Sequence, residues 1–170
     1  IDQYAVDRVE IIKGPGSLMY GSDGIAGVLN FISPKAPSIN EIKSSITTDY
    51  QTNNNLFGTS ISNAGNKHGF QWMGRLTHKI AGNYVNKYDG KVYNSGFSET
   101  DGSIFLGINR NWGHTHFNFS TYNNKLGIVE GSRDSSGAFT FTNSLDDVEK
   151  VSTKTLESYD IGVPYQKVNH

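Results

Sequence analysis

From Glu41 onward the chain alternates. In 41–50, Ile42, Ser44, Ile46, Thr48 and Tyr50 fall on one side of an extended chain and Lys43, Ser45, Thr47 and Asp49 on the other, because successive side chains of a strand point to opposite faces. The same period of two sets Phe57, Thr59 and Ile61 against Gly58, Ser60 and Ser62 in 56–63, and Phe70, Trp72, Gly74 and Leu76 against Gln71, Met73, Arg75 and Thr77 in 69–79. It sets Ile104, Leu106 and Ile108 against Phe105, Gly107 and Asn109 in 103–112, and Phe117 and Phe119 against His116, Asn118, Ser120 and Tyr122 in 115–123. These runs predict about five strands, each with one greasy and one polar face. The connectors alternate in length: 51–55 is short, 64–68 and 112–114 are tight, 81–102 is long and 125–170 is longer. Tight connections at one end and long loops at the other are the pattern of a bacterial outer-membrane barrel. A soluble antiparallel sandwich with two long insertions predicts the same alternation, and periodicity does not separate the two.

The first forty residues read differently. Val6–Lys13 predicts a strand with Val6, Arg8, Glu10 and Ile12 on one face and Asp7, Val9, Ile11 and Lys13 on the other. Gly14-Pro15-Gly16 stops it, a helical turn is expected at Ser17–Tyr20, and Gly21, Gly24 and Gly27 exclude a long helix. Residues 27–33 predict a second short strand. The Pro34-Lys35-Ala36-Pro37 stretch is the expected boundary, with one unit over 1–37 and another over 38–170. The opening Ile1-Asp2-Gln3-Tyr4 reads as the interior of a domain.

Composition narrows the function classes. Fifteen basic and 16 acidic residues give a formal net charge of -1, which offers no basic face for nucleic acid. There are no cysteines, hence no disulfides or thiolate metal sites. Hydrophobic residues make up 35% of the chain, low for a soluble domain and suited to a barrel with one polar face. No apolar run reaches the length of a transmembrane helix, about 18 residues, whereas barrel strands need only about 9–11 alternating residues.

The segment Val6-Asp-Arg-Val-Glu-Ile-Ile-Lys-Gly-Pro-Gly-Ser-Leu-Met-Tyr-Gly-Ser-Asp-Gly-Ile-Ala-Gly-Val-Leu-Asn-Phe-Ile-Ser-Pro-Lys35 closely resembles the end of the plug domain of TonB-dependent outer-membrane receptors. The resemblance is carried by Arg8 and Glu10 in the strand, by Gly14, Pro15, Gly16, Tyr20, Gly21, Gly24 and Gly27, and by Asn30 in the second apolar strand. Leu29 and Phe31 stand where the family favours Ile, and Pro34 where Thr is usual. The resemblance implies a mainly β fold: the C-terminal part of a plug followed by the first antiparallel strands of an incomplete transmembrane β-barrel, in a family whose barrels have about 22 strands. It implies the outer membrane of a Gram-negative bacterium, no enzymatic activity, no cofactor, and energy-coupled uptake of a scarce ligand. An iron siderophore leads, with haem, cobalamin and oligosaccharide open. It also implies a partner, the inner-membrane TonB complex, acting through a segment outside this chain. Residues 126–131 and 162–170 resemble stretches that flank a long outer loop in such receptors. The alternative function is a soluble β-sandwich binding module.

Several residues are singled out. Arg8 and Glu10 share a strand face; the family implies plug-to-barrel contacts for them, while their bland alternative is an exposed charge pair. Tyr84, Tyr88 and Tyr93 in the first long loop, and Tyr159 and Tyr165 in the last, are candidate ligand contacts or members of an interfacial aromatic girdle. Nucleotide binding is discounted, since Met19 stands where a third glycine is needed and no G-K-[ST] follows. His114 and His116 lack further ligands nearby in sequence for a metal. An open run of about five strands exposes two edges and a greasy face, so the isolated piece is expected to self-associate.

Overall fold

In the computed structural model, residues 2–21, 24, 26–129, 132–142, 148–150 and 165–169 are described. A 3₁₀ turn at Gln3–Ala5 opens the chain, its first turn closed by the Asp2 carboxylate accepting from the Tyr4 backbone amide at 3.0 Å. Strand β1 (Arg8–Ile12) and β2 (Val28–Ile32) form an antiparallel hairpin, with Arg8 opposite Ile32 and Ile12 opposite Val28. Between them a 3₁₀ helix spans Gly14–Tyr20. It starts three residues earlier than the sequence suggests, because the fixed φ of Pro15 suits a helical start.

Five long strands follow: β3 (Glu41–Gln51), β4 (Leu56–Lys67), β5 (Phe70–Ala81), then, after the two-residue strands β6 (Val85–Asn86) and β7 (Gly90–Lys91), β8 (Phe97–Arg110) and β9 (Gly113–Gly127). Strands β10 (Ser132–Arg133), β11 (Phe139–Thr142) and β12 (Val148–Lys150) make a small outer sheet, and β13 (Tyr165–Asn169) returns to the main one. The main sheet is antiparallel throughout, in the order β13-β9-β8-β5-β4-β3. Gln166 lies opposite Leu126 and Tyr165 opposite Gly127, so the described parts of the two stretches flagged as flanking a long outer loop meet at the end of β9.

The ladders outrun the alternation. The expected turn at 64–68 is strand as far as Lys67, and the turn itself is His68-Gly69. Both residues have positive φ, 49° and 79°, and a Cβ on residue 69 would lie 2.2 Å from the Asn109 carbonyl oxygen; glycine is needed there. Likewise β8 begins at Phe97, so residues 97–102 belong to the wall and not to the long connector. The pattern fades there because Ser98 and Thr100 alternate with Glu99 and Asp101, polar on both faces, while backbone pairing continues regardless of side chain.

Burial is inverted relative to a soluble domain. The apolar residues of one face are exposed: Ile46 is 74% exposed, Leu76 61%, Ile104 50% and Phe117 60%. The opposite face buries polar side chains, among them Ser60, Thr77, Lys79, Glu99 and Asp101. A sandwich would cover the greasy face with a second sheet; among the described residues it stays bare, which matches a lipid-facing wall better than a sandwich. No helix among the described residues is long and apolar enough to cross a membrane, whereas the five long strands have 11 to 15 residues, enough to span a bilayer when tilted. At the tight-turn end Phe70 stacks on Trp72, with ring centres 6.1 Å apart, and the Trp72 indole donates to Asn63 Oδ1 at 2.8 Å. Trp72 lies over its cross-strand partner Gly65, where a Cβ would come within 2.1 Å of the ring.

At the other end asparagines knit the loops together. The Asn53 side chain donates to Val85 O and accepts from Val85 N at 3.1 and 2.8 Å, the pairing a strand neighbour would make. Asn83 Oδ1 accepts from the amides of Ser95 and Gly96, and Asn94 Nδ2 donates to Ile128 O at 2.7 Å. Arg133 clamps Asp89 with two bonds of 3.0 Å and lies 3.8 Å over the Phe139 ring.

Candidate functional site

The polar face of the sheet carries the N-terminal segment, and the meeting of the two is the candidate site. Sheet register decides its composition. Thr77 lies opposite Ser60 and Asp101, Lys79 opposite Gly58 and Glu99, and Tyr122 opposite Asp101, which puts these side chains on the inner face in two adjacent rows. Lys79 Nζ and Glu99 Oε1 are 2.6 Å apart, with 8% and 10% of their side chains exposed. Glu99 Oε2 also accepts from Tyr122 Oη at 3.1 Å and Asn124 Nδ2 at 3.2 Å. A buried ion pair holds only when its remaining hydrogen-bonding capacity is also met, and Glu99 meets that condition. Arg75, four positions before Lys79 on β5, donates to Ser60 Oγ at 3.1 Å.

The segment docks through its first turn. Thr77 Oγ1 donates to Asp2 Oδ2 at 2.8 Å and, its one hydrogen used there, accepts from Ser60 Oγ at 2.9 Å. The Tyr4 hydroxyl donates to Asp49 Oδ2, and Lys79 Nζ sits 5.2 Å from the centre of the Tyr4 ring. Burial, reinforced by the Asp49 carboxylate, pushes the Tyr4 phenol above its usual value and keeps it a donor at neutral pH. Asn66 Nδ2 donates to Pro37 O at 3.2 Å, pinning the connector to β4. Beside these contacts a cleft of about 530 Å³ opens between Ala5, Val6 and Phe31 of the segment and Asp101, Ser103 and Tyr122 of the wall.

The residues singled out in the sequence fall in three places. Arg8 Nε and Glu10 Oε1 are 3.0 Å apart, and Asn30 Nδ2 donates to Glu10 Oε2 at 3.3 Å; both charged side chains are about half exposed and meet each other, while the segment reaches the wall through Asp2 and Tyr4. Gly14, Gly21 and Gly27 have φ of 75°, 111° and 116°, and a Cβ on residue 24 would lie 2.6 Å from the Ser17 carbonyl oxygen, so this loop turns on glycine. Pro15, Gly16 and Tyr20 belong to the 3₁₀ helix, with Tyr20 exposed. Tyr84 and Tyr88 are exposed on the loop after β5, and Tyr93 lies beneath Lys91 Nζ at 5.3 Å. Tyr159 lies outside the described residues, and the Tyr165 backbone is in β13.

Sequence reasoning passed over Lys79, Glu99, Asp101, Asp2 and Tyr4. Glu99 and Asp101 were lost because their stretch was read as connector. Their alternation with Ser98 and Thr100 was the signal available. Nothing in sequence marks Asp2 and Tyr4, whose partners lie 75 and 45 residues away respectively.

Comparison with known proteins bears on the N-terminal segment. The family model described as the TonB-dependent receptor plug domain matches residues 1–28. The chain is 58% identical over 33 residues to the vitamin B12 transporter BtuB of Vibrio vulnificus, which is 19% of this chain and 5% of that protein. It is 55% identical over 31 residues to the iron-regulated outer membrane virulence protein of Vibrio cholerae, 18% of this chain and 5% of the relative. The matched stretches thus span about a twentieth of these relatives' length. No solved structure matches the chain.

Proposed function

Since the chain is part of a TonB-dependent outer-membrane receptor, the end of a plug followed by barrel strands, we propose that the whole protein is a transporter for energy-coupled uptake of a scarce ligand, with an iron siderophore as the leading class. The observation that carries this is the inverted burial of the sheet beneath a plug-like segment: greasy residues outside, polar side chains and the Lys79–Glu99 pair inside. The division falls at 37/38, where the segment's last proline is tied to Asn66. The TonB complex acts through a part of the receptor outside this chain. Pulling on the plug would then load the Asp2–Thr77 and Tyr4–Asp49 contacts, which must yield for the path to open. Arg8 and Glu10, half exposed here, are assigned to the plug–barrel boundary on the family pattern. Tyr84, Tyr88 and Tyr93 are assigned to the outer ligand surface, together with Tyr159 and Tyr165.

The matched segment is similar both to a vitamin B12 transporter and to an iron-regulated protein, so plug sequence does not discriminate between them. Iron leads over haem, cobalamin and oligosaccharide because one of the matched relatives is named as iron-regulated. The test is uptake of radiolabelled ferric siderophores and of radiolabelled cobalamin by cells with and without the gene, in iron-poor medium. Loss of ferric siderophore uptake alone supports the iron reading. Loss of cobalamin uptake alone transfers the assignment, and loss of neither refutes the transporter for both classes. Taken by itself, the piece leaves strands β3 and β13 as open edges and is expected to self-associate, which analytical ultracentrifugation reads directly.

A further inference from the structure

We propose that the cleft between the N-terminal segment and the inner wall binds an amphipathic organic cation, a guanidinium or primary ammonium on a short aliphatic stem, with Asp101 as its anionic anchor. Asp101 is 3% exposed, lines this cleft, and neither of its carboxyl oxygens receives a hydrogen bond from an amide, ammonium or hydroxyl donor among the described residues, its polar neighbour being the Glu99 carboxyl. A carboxylate in that position is costly unless a donor reaches it. The neighbouring charges sharpen the need: Glu99 and Asp2 both act on Asp101, and the cation acting on it is Lys79, already engaged by Glu99 at 2.6 Å. Arg75 is turned to Ser60. Three carboxyl groups, with Asp101 and Glu99 within hydrogen-bonding reach of each other, therefore face one ammonium, and a further cation is the partner that lets all three stay ionised.

The walls select its kind. Ala5, Val6 and Phe31 present carbon to the cleft, which suits an aliphatic stem with a charged head. A bare metal ion gains nothing from such walls, and no group of three His, Cys, Asp or Glu placed to hold one occurs among the described residues. Two sources share this chemistry: a small free cation, or a Lys or Arg side chain from another part of the receptor. The site does not depend on which ligand the receptor imports.

The test uses the full receptor in detergent micelles, with n-butylguanidinium as probe and the neutral n-butylurea as its isostere, followed by saturation-transfer NMR. For a free cation, butylguanidinium binds saturably, butylurea does not, and Asp101→Asn weakens the probe at least tenfold. For an internal side chain, the wild type takes up neither compound, Asp101→Asn lowers the urea midpoint for plug release, and the structure of the full receptor has a Lys or Arg nitrogen within hydrogen-bond reach of Asp101. Equal binding of both compounds to the wild type overturns the proposal without any variant. So does an absence of probe binding together with a plug-release midpoint that Asp101→Asn leaves unchanged or raises.

Discussion

Replacing Leu76 with arginine separates a lipid-facing wall from a sheet in water. Leu76 is 61% exposed on the greasy face and lies six residues from the Phe70 end of β5. Six residues at about 3.3 Å each, tilted by about 40°, rise about 15 Å along the membrane normal. That is half the thickness of a hydrocarbon core of about 30 Å, so Leu76 sits near the midplane. An arginine there costs about 2–4 kcal/mol in a barrel, a factor of about 30 to 1,000 in the folding constant. Ile80, four residues further along and about 10 Å higher, is near the interface, and Ile80→Arg is expected to cost about 0–1 kcal/mol. In water both substitutions on exposed positions are worth little, within about 0.5 kcal/mol. The assay is reversible urea unfolding of the full receptor in phospholipid vesicles, read by the gel-shift of folded barrel. A Leu76→Arg cost below about 0.5 kcal/mol, or one no larger than that of Ile80→Arg, refutes both the depth assignment and the membrane-wall argument.

Three further outcomes are expected. Lys79→Met leaves Glu99 with Tyr122 and Asn124 but no cation, so it costs about 3 kcal/mol, the low end for a broken buried pair. Adding Glu99→Gln recovers most of that, and a double-mutant cycle in the same unfolding assay showing no coupling would count against the pair. Gly65→Ala forces Trp72 off the strand, since the new Cβ meets the ring, at about 1–3 kcal/mol; Trp72→Ala in the same chain removes the penalty if the contact is its cause. The loop clamp is acid-sensitive: the hydrogen bond from Arg133 is the chief cause holding Asp89 below its usual carboxylate range. The clamp is therefore complete above that range and opens as pH falls through the lowered folded value. Protection of the amides in 82–96, taken relative to their intrinsic exchange rate at each pH, should then fall in acid more in the wild type than in Arg133→Gln, and equal protection in the two at pH 6 would argue the clamp away.

The order of strands along the chain, the greasy stripe of Ile46, Leu76 and Phe117, and the glycine-rich plug signature were legible in the sequence, because side-chain alternation and positive-φ glycines are local consequences of backbone geometry. Alternation alone left the sandwich and the barrel level. What separated them was which face is covered, a property of layers and not of strands. The strand ends were misplaced at 64–68 and 97–102 because polar residues on both faces erase the pattern while backbone hydrogen bonds carry on. Register, set by the His68-Gly69 turn and the ladders beyond it, brought Lys79 to Glu99 and left Asp101 without a partner. The docking of Asp2 and Tyr4 onto Thr77 and Asp49 was decided only by the tertiary structure, since contacts across 45 and 75 residues leave no local trace in composition or spacing.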